Sequence, residues 1–384
     1  MKEKFDYIII GGGCAGLSLA FRISNEAYFQ SKSILLIEPE EKNQNDRTWS
    51  YWSKEDNFYN DWAIKNWGEL SFKSTEKEIP LDINPYKFYT IRGIDFYNAT
   101  LPLINSCSQI TQIKTRVNKL THEDQVVKVS LENGKEVIGG FCFDSRINNN
   151  YDFEDSNFVW QHFKGWVVES KQDYFDDSKA MFMDFSIDQK QDTRFFYVLP
   201  YSKTKALIQI AIFSNDIISS KDYDTLIKDY IDKQHATLDY SILEEEYDKI
   251  PMTDFAFPIS SGPNHMYIGT ASGMVKASSG FAFKRMQDQS DDIIKLLTQG
   301  KDPTRATQKI ANKKYRVLDG TFLNVILTNR LTGQEVFTRL LSRNKAKNVF
   351  DFLNQQSSII QELKIMSSLP TLPFLKSFFK VLKG

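Results

Sequence analysis

Asp6-Tyr7-Ile8-Ile9-Ile10-Gly11-Gly12-Gly13-Cys14-Ala15-Gly16-Leu17-Ser18-Leu19-Ala20 is the stretch that decides the fold. An apolar run enters a G-x-G-x-x-G turn at Gly11, Gly13 and Gly16, and a helix-like stretch leaves it. A second apolar run, Ser33-Ile34-Leu35-Leu36-Ile37, ends in Glu38 about twenty residues beyond Gly16. The first glycine permits a tight exit from the strand. The second has no side chain, so a pyrophosphate can approach the backbone. The third lets helix and strand pack closely. N–H groups at the helix start, around Cys14 and Ala15, then meet phosphate at the positive end of the helix dipole. Glu38 suits an unphosphorylated ribose, because a carboxylate accepts from its hydroxyls. The pattern predicts a Rossmann-type unit for an adenine dinucleotide. FAD is expected rather than NAD, because the fingerprint opens a long chain with no separate catalytic part before it.

With 384 residues the chain can build one large or two interlocked domains. A net charge of −1 offers no basic field to nucleic acid. Cys14, Cys107 and Cys142 form no C-x-x-C pair, which suits a reducing cytoplasm. The four histidines show no ligand spacing, so no metal site is expected. The first apolar run is short and broken by glycines, so no signal peptide is expected. No run approaches the ~18 apolar residues of a spanning helix. Aromatic content is 14%, with 29 Phe, which fits either a Phe-rich core or a long apolar cavity.

The first forty residues read β-α-β. Residues 108–142 read as short strands, with an Asn133-Gly134 turn. Residues 158–213 read as an antiparallel sheet, residues 222–248 as helical, and the stretch from 305 onward as mostly helical. Met266-Tyr267-Ile268-Gly269-Thr270-Ala271 reads as a late strand and turn that return the chain to the nucleotide site. The fold class expected is α/β: a Rossmann-type FAD-binding domain, an inserted antiparallel-sheet substrate domain and a helical C-terminus. The FAD-binding part is expected over 1–75, 108–155 and 250–300. The substrate part is expected over 76–107 and 156–249, and the helical region over 301–384.

Several unusual strings follow in fixed order. They are Asn45-Asp46-Arg47-Thr48-Trp49-Ser50-Tyr51-Trp52, Tyr89-Thr90-Ile91-Arg92-Gly93-Ile94-Asp95-Phe96-Tyr97 and Asp144-Ser145-Arg146. Next come Gln161-His162-Phe163-Lys164-Gly165-Trp166, Met183-Asp184-Phe185, Phe196-Tyr197-Val198-Leu199-Pro200 and Ile250-Pro251-Met252. The last is Ile268-Gly269-Thr270-Ala271-Ser272-Gly273 through Lys276-Ala277-Ser278-Ser279-Gly280-Phe281. In these strings the chain resembles the flavin-dependent lycopene cyclases, in particular the bacterial β-cyclases, nearly end to end. The resemblance implies FAD in its reduced form, NADPH as electron source and an apolar C40 polyene substrate. It implies a reaction without net redox change, in which a proton starts closure of a β-ionone ring. A carbocation needs an apolar, dry pocket with negative charge or aromatic faces beside it.

The resemblance also implies a catalytic glutamate on the strand after Tyr197-Val198-Leu199-Pro200, and there this chain has Gln209, with Ala211 where a threonine is usual. Glutamine cannot deliver a proton as a carboxylic acid can. Asp248-Lys249, Ser272, Met274 and Ser186 depart from the family pattern as well. If the chain is a cyclase, Asp184 is the first alternative acid and Glu246 the second. Otherwise the flavoprotein performs a redox step on a polyene or similar apolar substrate, or is an inactive binding paralogue.

Arg47 follows the Glu38 strand where the cofactor is expected, and Asp144 ends a strand at a turn near the adenine side. Both are candidate cofactor contacts, against a salt-bridged loop arginine and an Asx-turn. Gly269, Gly273 and Gly280 are expected to close over the flavin. Near the C-terminus Lys376, Lys380 and Lys383 fall on one helical stripe beside Phe and Leu. That pattern fits peripheral contact with a membrane surface, and equally a terminal helix docked on the core.

Overall fold

The opening apolar run forms strand Glu3–Ile10, the centre of a seven-stranded sheet. A computed structural model describes residues 3–147, 151–310 and 312–383. Strand Ile34–Ile37 lies parallel to the first strand on one side, followed by Ile110–Ile113, and Glu136–Asp144 lies parallel on the other. A parallel sheet covered on both faces needs continuous apolar runs, and Ile8, Ile9, Ile34 and Leu35 supply them, all buried. Helices Cys14–Asn25, Gly93–Ser106 and Phe283–Thr298 contribute Leu17, Phe96 and Ile293 to the core on one face. The late strand His265–Tyr267 returns parallel to Glu136–Asp144.

The second sheet also has seven strands, ordered Tyr240–Thr253, Phe158–Ser170, Lys205–Ser214, Thr193–Pro200, Lys179–Asp184, Glu69–Lys73 and Glu78–Asp82. Its strand pairs are antiparallel except Lys179–Asp184 with Glu69–Lys73. Period-2 alternation gives it two faces. Phe163, Tyr197, Leu207 and Phe213 face one core, which the C-terminal helices complete with Phe322, Phe337 and Phe350. Trp166, Phe196, Ile208 and Ile210 face the other, under helix Ser220–Gln234. A small sheet of Thr48–Ser53, Lys87–Arg92 and Lys65–Trp67 accompanies the two.

Three expectations are corrected. Glu69–Lys73, expected in the nucleotide part, is a strand of the antiparallel sheet. Helix Gly93–Ser106, expected in the substrate part, packs with helix Cys14–Asn25, because Phe96, Tyr97 and Ile104 form its apolar face. The helix expected over 222–248 ends at Gln234, and Tyr240–Thr253 is an edge strand. Its carboxylates alternate with solvent-facing residues, and an edge strand tolerates that density of charge.

Helix Lys313–Leu327 is tied to the late nucleotide segment by a buried ion pair, Lys276 Nζ to Asp319 Oδ1 at 2.6 Å. Burial pulls the Lys276 ammonium below its ordinary pKa, against the attraction of Asp319. Asp319→Ala leaves an uncompensated buried lysine and is expected to cost about 3–5 kcal/mol. Thermal or denaturant unfolding of the two proteins measures it, and a loss near zero would mean that the pair is dispensable.

Candidate active site

The glycine turn adopts the expected conformation. Gly11 has φ +95° and donates its N–H to Ile37 O at 2.8 Å. A Cβ at Gly16 would fall 1.8 Å from Gly11 O, so only glycine permits that approach. A Cβ at Gly13 would meet nothing within 4 Å. The bare Cα of Gly13 and the uncapped start of helix Cys14–Asn25 border open space. This is a cradle for an anionic group such as a pyrophosphate. Glu38 stands beneath the turn, its carboxylate accepting from Gly12 N–H at 2.5 Å and Glu40 N–H at 2.9 Å. Gly11, Gly13, Cys14, Ala15, Gly16 and Glu38 thus lie together at this turn, and Gly13, Cys14 and Ala15 of them border the open space. Burial pushes the Cys14 thiol up to about 12, so it is a neutral wall group.

The open space continues as a cavity of about 300 Å³ between the two large sheets. Gly13, Cys14 and Ala15 border it from the nucleotide side, Gln161 and Gln209 from the antiparallel sheet, and Gly280 from the late segment. Trp49, Phe163, Tyr197, Phe281 and Phe283 add aromatic walls. Gly269, with φ +64°, lies so near the nucleotide helix that a Cβ would sit 2.6 Å from Ala15 Cβ. Gly273 faces Phe257 and a second, smaller cleft instead of this cavity. The Asp144 carboxylate is turned to Arg146, 2.7 Å away, and accepts from the Arg146 N–H as an Asx-turn does. Neither Gly273 nor the Asp144 side chain borders the main cavity.

Arg47 does border it, and the loop that carries it is anchored to the edge strand Tyr240–Thr253. Asn45 Nδ2 donates to Glu244 at 2.8 Å, Thr48 Oγ1 to Glu246 Oε2 at 2.5 Å, and Arg47 pairs with Asp248 at 3.4 Å. Alternate residues of one strand thus receive members of the Asn45–Thr48 string. On the loop's other side, Tyr97 Oη donates to Asp46 at 2.8 Å and Gly93 N–H to Arg47 O at 2.7 Å.

Glu246 is 5% exposed. The Gln209 side-chain amide donates to its Oε1. Strand Phe158–Ser170 runs between the two residues, with Gly165 in register with both. A Cβ at Gly165 would lie 3.0 Å from Gln209 Cβ and 2.8 Å from a Leu207 methyl, so the glycine opens the gap that the contact crosses. Burial raises the Glu246 carboxyl to about 7; Thr48 and Gln209 oppose that rise, and Glu244 and Asp248 add to it. A buried carboxyl with a raised pKa therefore stands one hydroxyl, that of Thr48, behind the cavity wall.

The structure does not bring Asp184 there. Asp184 is 1% exposed, accepts from Tyr230 Oη at 2.8 Å and Ser186 N–H at 2.8 Å, and lies 3.5 Å from Lys73 Nζ. Tyr230 belongs to the helix on the opposite face of the sheet. Gly165 and Thr48 were the residues whose parts sequence reasoning missed. A glycine inside a strand, between Lys164 and Trp166, was the available signal.

Comparison with known proteins adds a family and a fold. The family described as "Lycopene cyclase protein" matches residues 6–378. Neoxanthin synthase of Solanum lycopersicum is 23% identical over 323 residues, and capsanthin/capsorubin synthase of Capsicum annuum 23% over 331. Each match covers 79% of this chain and 62% of the relative, so the chain spans about three-fifths of the length of those proteins. A geranylgeranyl bacteriochlorophyll reductase-like protein of Thermoplasma acidophilum superposes with a TM-score of 0.71 at 12% identity. That superposition covers 99% of this chain and 100% of the other. The halogenase PltM, solved in complex with phloroglucinol and FAD, has a TM-score of 0.55 at 11% identity, over 91% and 79% of the two chains. At these identities the likeness to solved structures carries the fold.

The raised carboxyl of Glu246 sets a pH dependence. Between about pH 4.5 and pH 7 the folded protein holds a proton that the unfolded chain has released, so stability falls as pH rises through that window. Glu246→Gln removes this fall and is expected to raise the stability of the cofactor-free protein at pH 8 by up to about 3 kcal/mol. At pH 4 the two proteins should match. Denaturant unfolding at both pH values checks this, and equal pH slopes would mean an ordinary carboxyl at 246.

Proposed function

Because the chain belongs to the lycopene cyclase family, we propose that it closes β-ionone rings on an acyclic polyene by proton-initiated, non-redox cyclisation, with FAD as cofactor. The observation that carries this reading is the buried Glu246–Thr48 pair behind an aromatic cavity wall. Gly11, Gly13 and the first turn of helix Cys14–Asn25 would hold the pyrophosphate, and Glu38 the ribose hydroxyls. The FAD carried by a halogenase of the same fold supports this cofactor. When bound, FAD reduced by NADPH would supply electron-rich character to stabilise a cation.

The chain's own residues do the rest. With Glu246 protonated, the Thr48 hydroxyl turns from donating to accepting from Oε2–H, and passes its own proton to the terminal double bond of the polyene while taking that of Glu246. The tertiary cation is attacked by the neighbouring double bond, and a six-membered ring closes. The aromatic faces of Trp49, Tyr197 and Phe281 stabilise the cation and exclude water that would trap it. Return of a ring proton through Thr48 to the Glu246 carboxylate gives a neutral product, restores the acid and leaves no net redox change. The amide of Gln209, where the resemblance implies an acid, favours a second reading: an FAD-dependent oxidoreductase on a polyene or other apolar substrate.

A surface feature fits an apolar substrate. Helix Ile359–Ser367 exposes Ile359, Ile360 and Leu363, and helix Thr371–Lys383 exposes Leu372 and Phe379. Lys364, Lys376, Lys380 and Lys383 accompany them. The last helix is docked on the protein through Ser377, bonded to Arg330 at 2.8 Å, and its opposite face is exposed. Among the described residues no helix is long and apolar enough to cross a membrane. We propose peripheral docking on anionic lipid.

Expression in a lycopene-accumulating host, with pigment analysis, tests the chemistry. Cyclic products are expected, and Glu246→Gln is expected to lower their yield about 10²–10⁴-fold. Asp184→Asn should keep the product pattern. Desaturated or oxygenated pigments would establish the oxidoreductase reading instead.

Liposome flotation tests the surface. Replacing Ile360, Leu363, Leu372 and Phe379 by serine should release the protein from anionic vesicles. Undiminished flotation would reject these helices as the membrane contact.

A further inference from the structure

Among the described residues, two buried polar groups at the cavity have no partner. The Gln161 side chain is 6% exposed and its Oε1 receives no hydrogen bond among the described residues. The Ser279 hydroxyl, on a residue 5% exposed, is equally unsatisfied. Both residues border the cavity that Gly13 and Ala15 open on the nucleotide side. Buried polar atoms without partners are costly and rare, so two on one wall mark a place where a ligand completes the bonding.

The surroundings hold both groups in place. Gln161 lies in strand Phe158–Ser170, and its amide abuts Gly280, where an added Cβ would fall 2.0 Å from Oε1. Ser279 sits in a closed turn, with Ser279 N–H and Gly280 N–H both donating to Lys276 O, at 3.0 and 2.8 Å. Lys276 is itself clamped by Asp319. Gly280 has φ +78°, a conformation that favours glycine, and the missing Cβ leaves room for the amide.

A hydrocarbon polyene has no donor or acceptor to offer these groups. The imide edge of an isoalloxazine ring has both: an N3–H donor flanked by two carbonyl acceptors. We infer that Gln161 and Ser279 bind the imide edge of the flavin, Oε1 of Gln161 accepting from N3–H and the Ser279 hydroxyl donating to a ring carbonyl. This rests on the FAD reading above and adds to it the residues that fix the ring end of the cofactor. Hydrogen bonds at that edge also tune flavin electronics, so Gln161 acts on the reduction potential as well as on binding.

The test pairs a protein change with a cofactor change. The purified chain is titrated with FAD and with 3-methyl-FAD, which lacks the N3 proton, and flavin fluorescence reports binding. Wild type is expected to bind 3-methyl-FAD about tenfold more weakly than FAD. Gln161→Leu should weaken FAD binding by a similar factor and lose the distinction between the two flavins. Ser279→Ala should weaken both flavins equally and keep the distinction. If the leucine variant does not fold, as judged by circular dichroism, Gly280→Ala replaces it, since its added carbon displaces the Gln161 amide. Binding of FAD by wild type with no discrimination, or equal discrimination by wild type and Gln161→Leu, overturns the inference and leaves the FAD reading standing. Folded wild type that binds neither flavin overturns both.

Discussion

The docking of Asn45–Thr48 on alternate residues of strand Tyr240–Thr253 is the constraint on which the site depends. The nucleotide sheet and the antiparallel sheet have separate cores, and the cavity exists only where they face each other. Glu244, Glu246 and Asp248 lie on one face of the edge strand because successive strand residues alternate. The loop reads that face with an amide, a hydroxyl and a guanidinium. Asp46 and the Arg47 carbonyl hold the same loop to helix Gly93–Ser106, through the Tyr97 hydroxyl and the Gly93 N–H. A short polar segment thereby fixes the spacing between the glycine turn and the antiparallel-sheet wall of the cavity. Polar contacts suit this task because their geometry is directional, whereas apolar packing alone tolerates sliding.

Much of this was legible in the sequence, and the rest was hidden for identifiable reasons. The glycine turn and Glu38 could be read because each glycine answers to one local steric demand. The string from Asn45 to Thr48 was visible as unusual, but its partners lie about two hundred residues away, beyond any local pattern. Glu244-Glu245-Glu246 falls in the stretch whose pattern reads as helical, yet it lies in an edge strand. In fact Glu245 faces outward to Lys164, while Glu246 faces inward.

Asp184 shows how one irregularity defeats pattern reading. Ala180 and Phe182 face the cavity side of the sheet, and strict alternation would put Asp184 there too. The register shifts between Met181 and Asp184 on both neighbouring strands. That bulge turns the carboxylate to the helix face, where Tyr230 receives it. A carboxylate in a family-like string was the right kind of residue on the wrong side of the sheet.

The amide at 209 has a physical consequence for the acid at 246. Gln209 donates through its nitrogen to Glu246 Oε1, so that oxygen must act as an acceptor. Oε2 accepts likewise from the Thr48 hydroxyl, so both hydrogen bonds oppose the rise that burial imposes on this carboxyl. A second carboxyl at 209 would compete for the same proton. The two groups would then titrate as a coupled pair, with the proton shared between strands. Glutamine removes that competition and keeps the hydrogen bond. Gly165 makes the arrangement possible, since any side chain there would fill the gap between Gln209 and Glu246. The change at 209 therefore does not empty the site of acid chemistry. It leaves a single buried carboxyl, two strands away, beside the Thr48 hydroxyl.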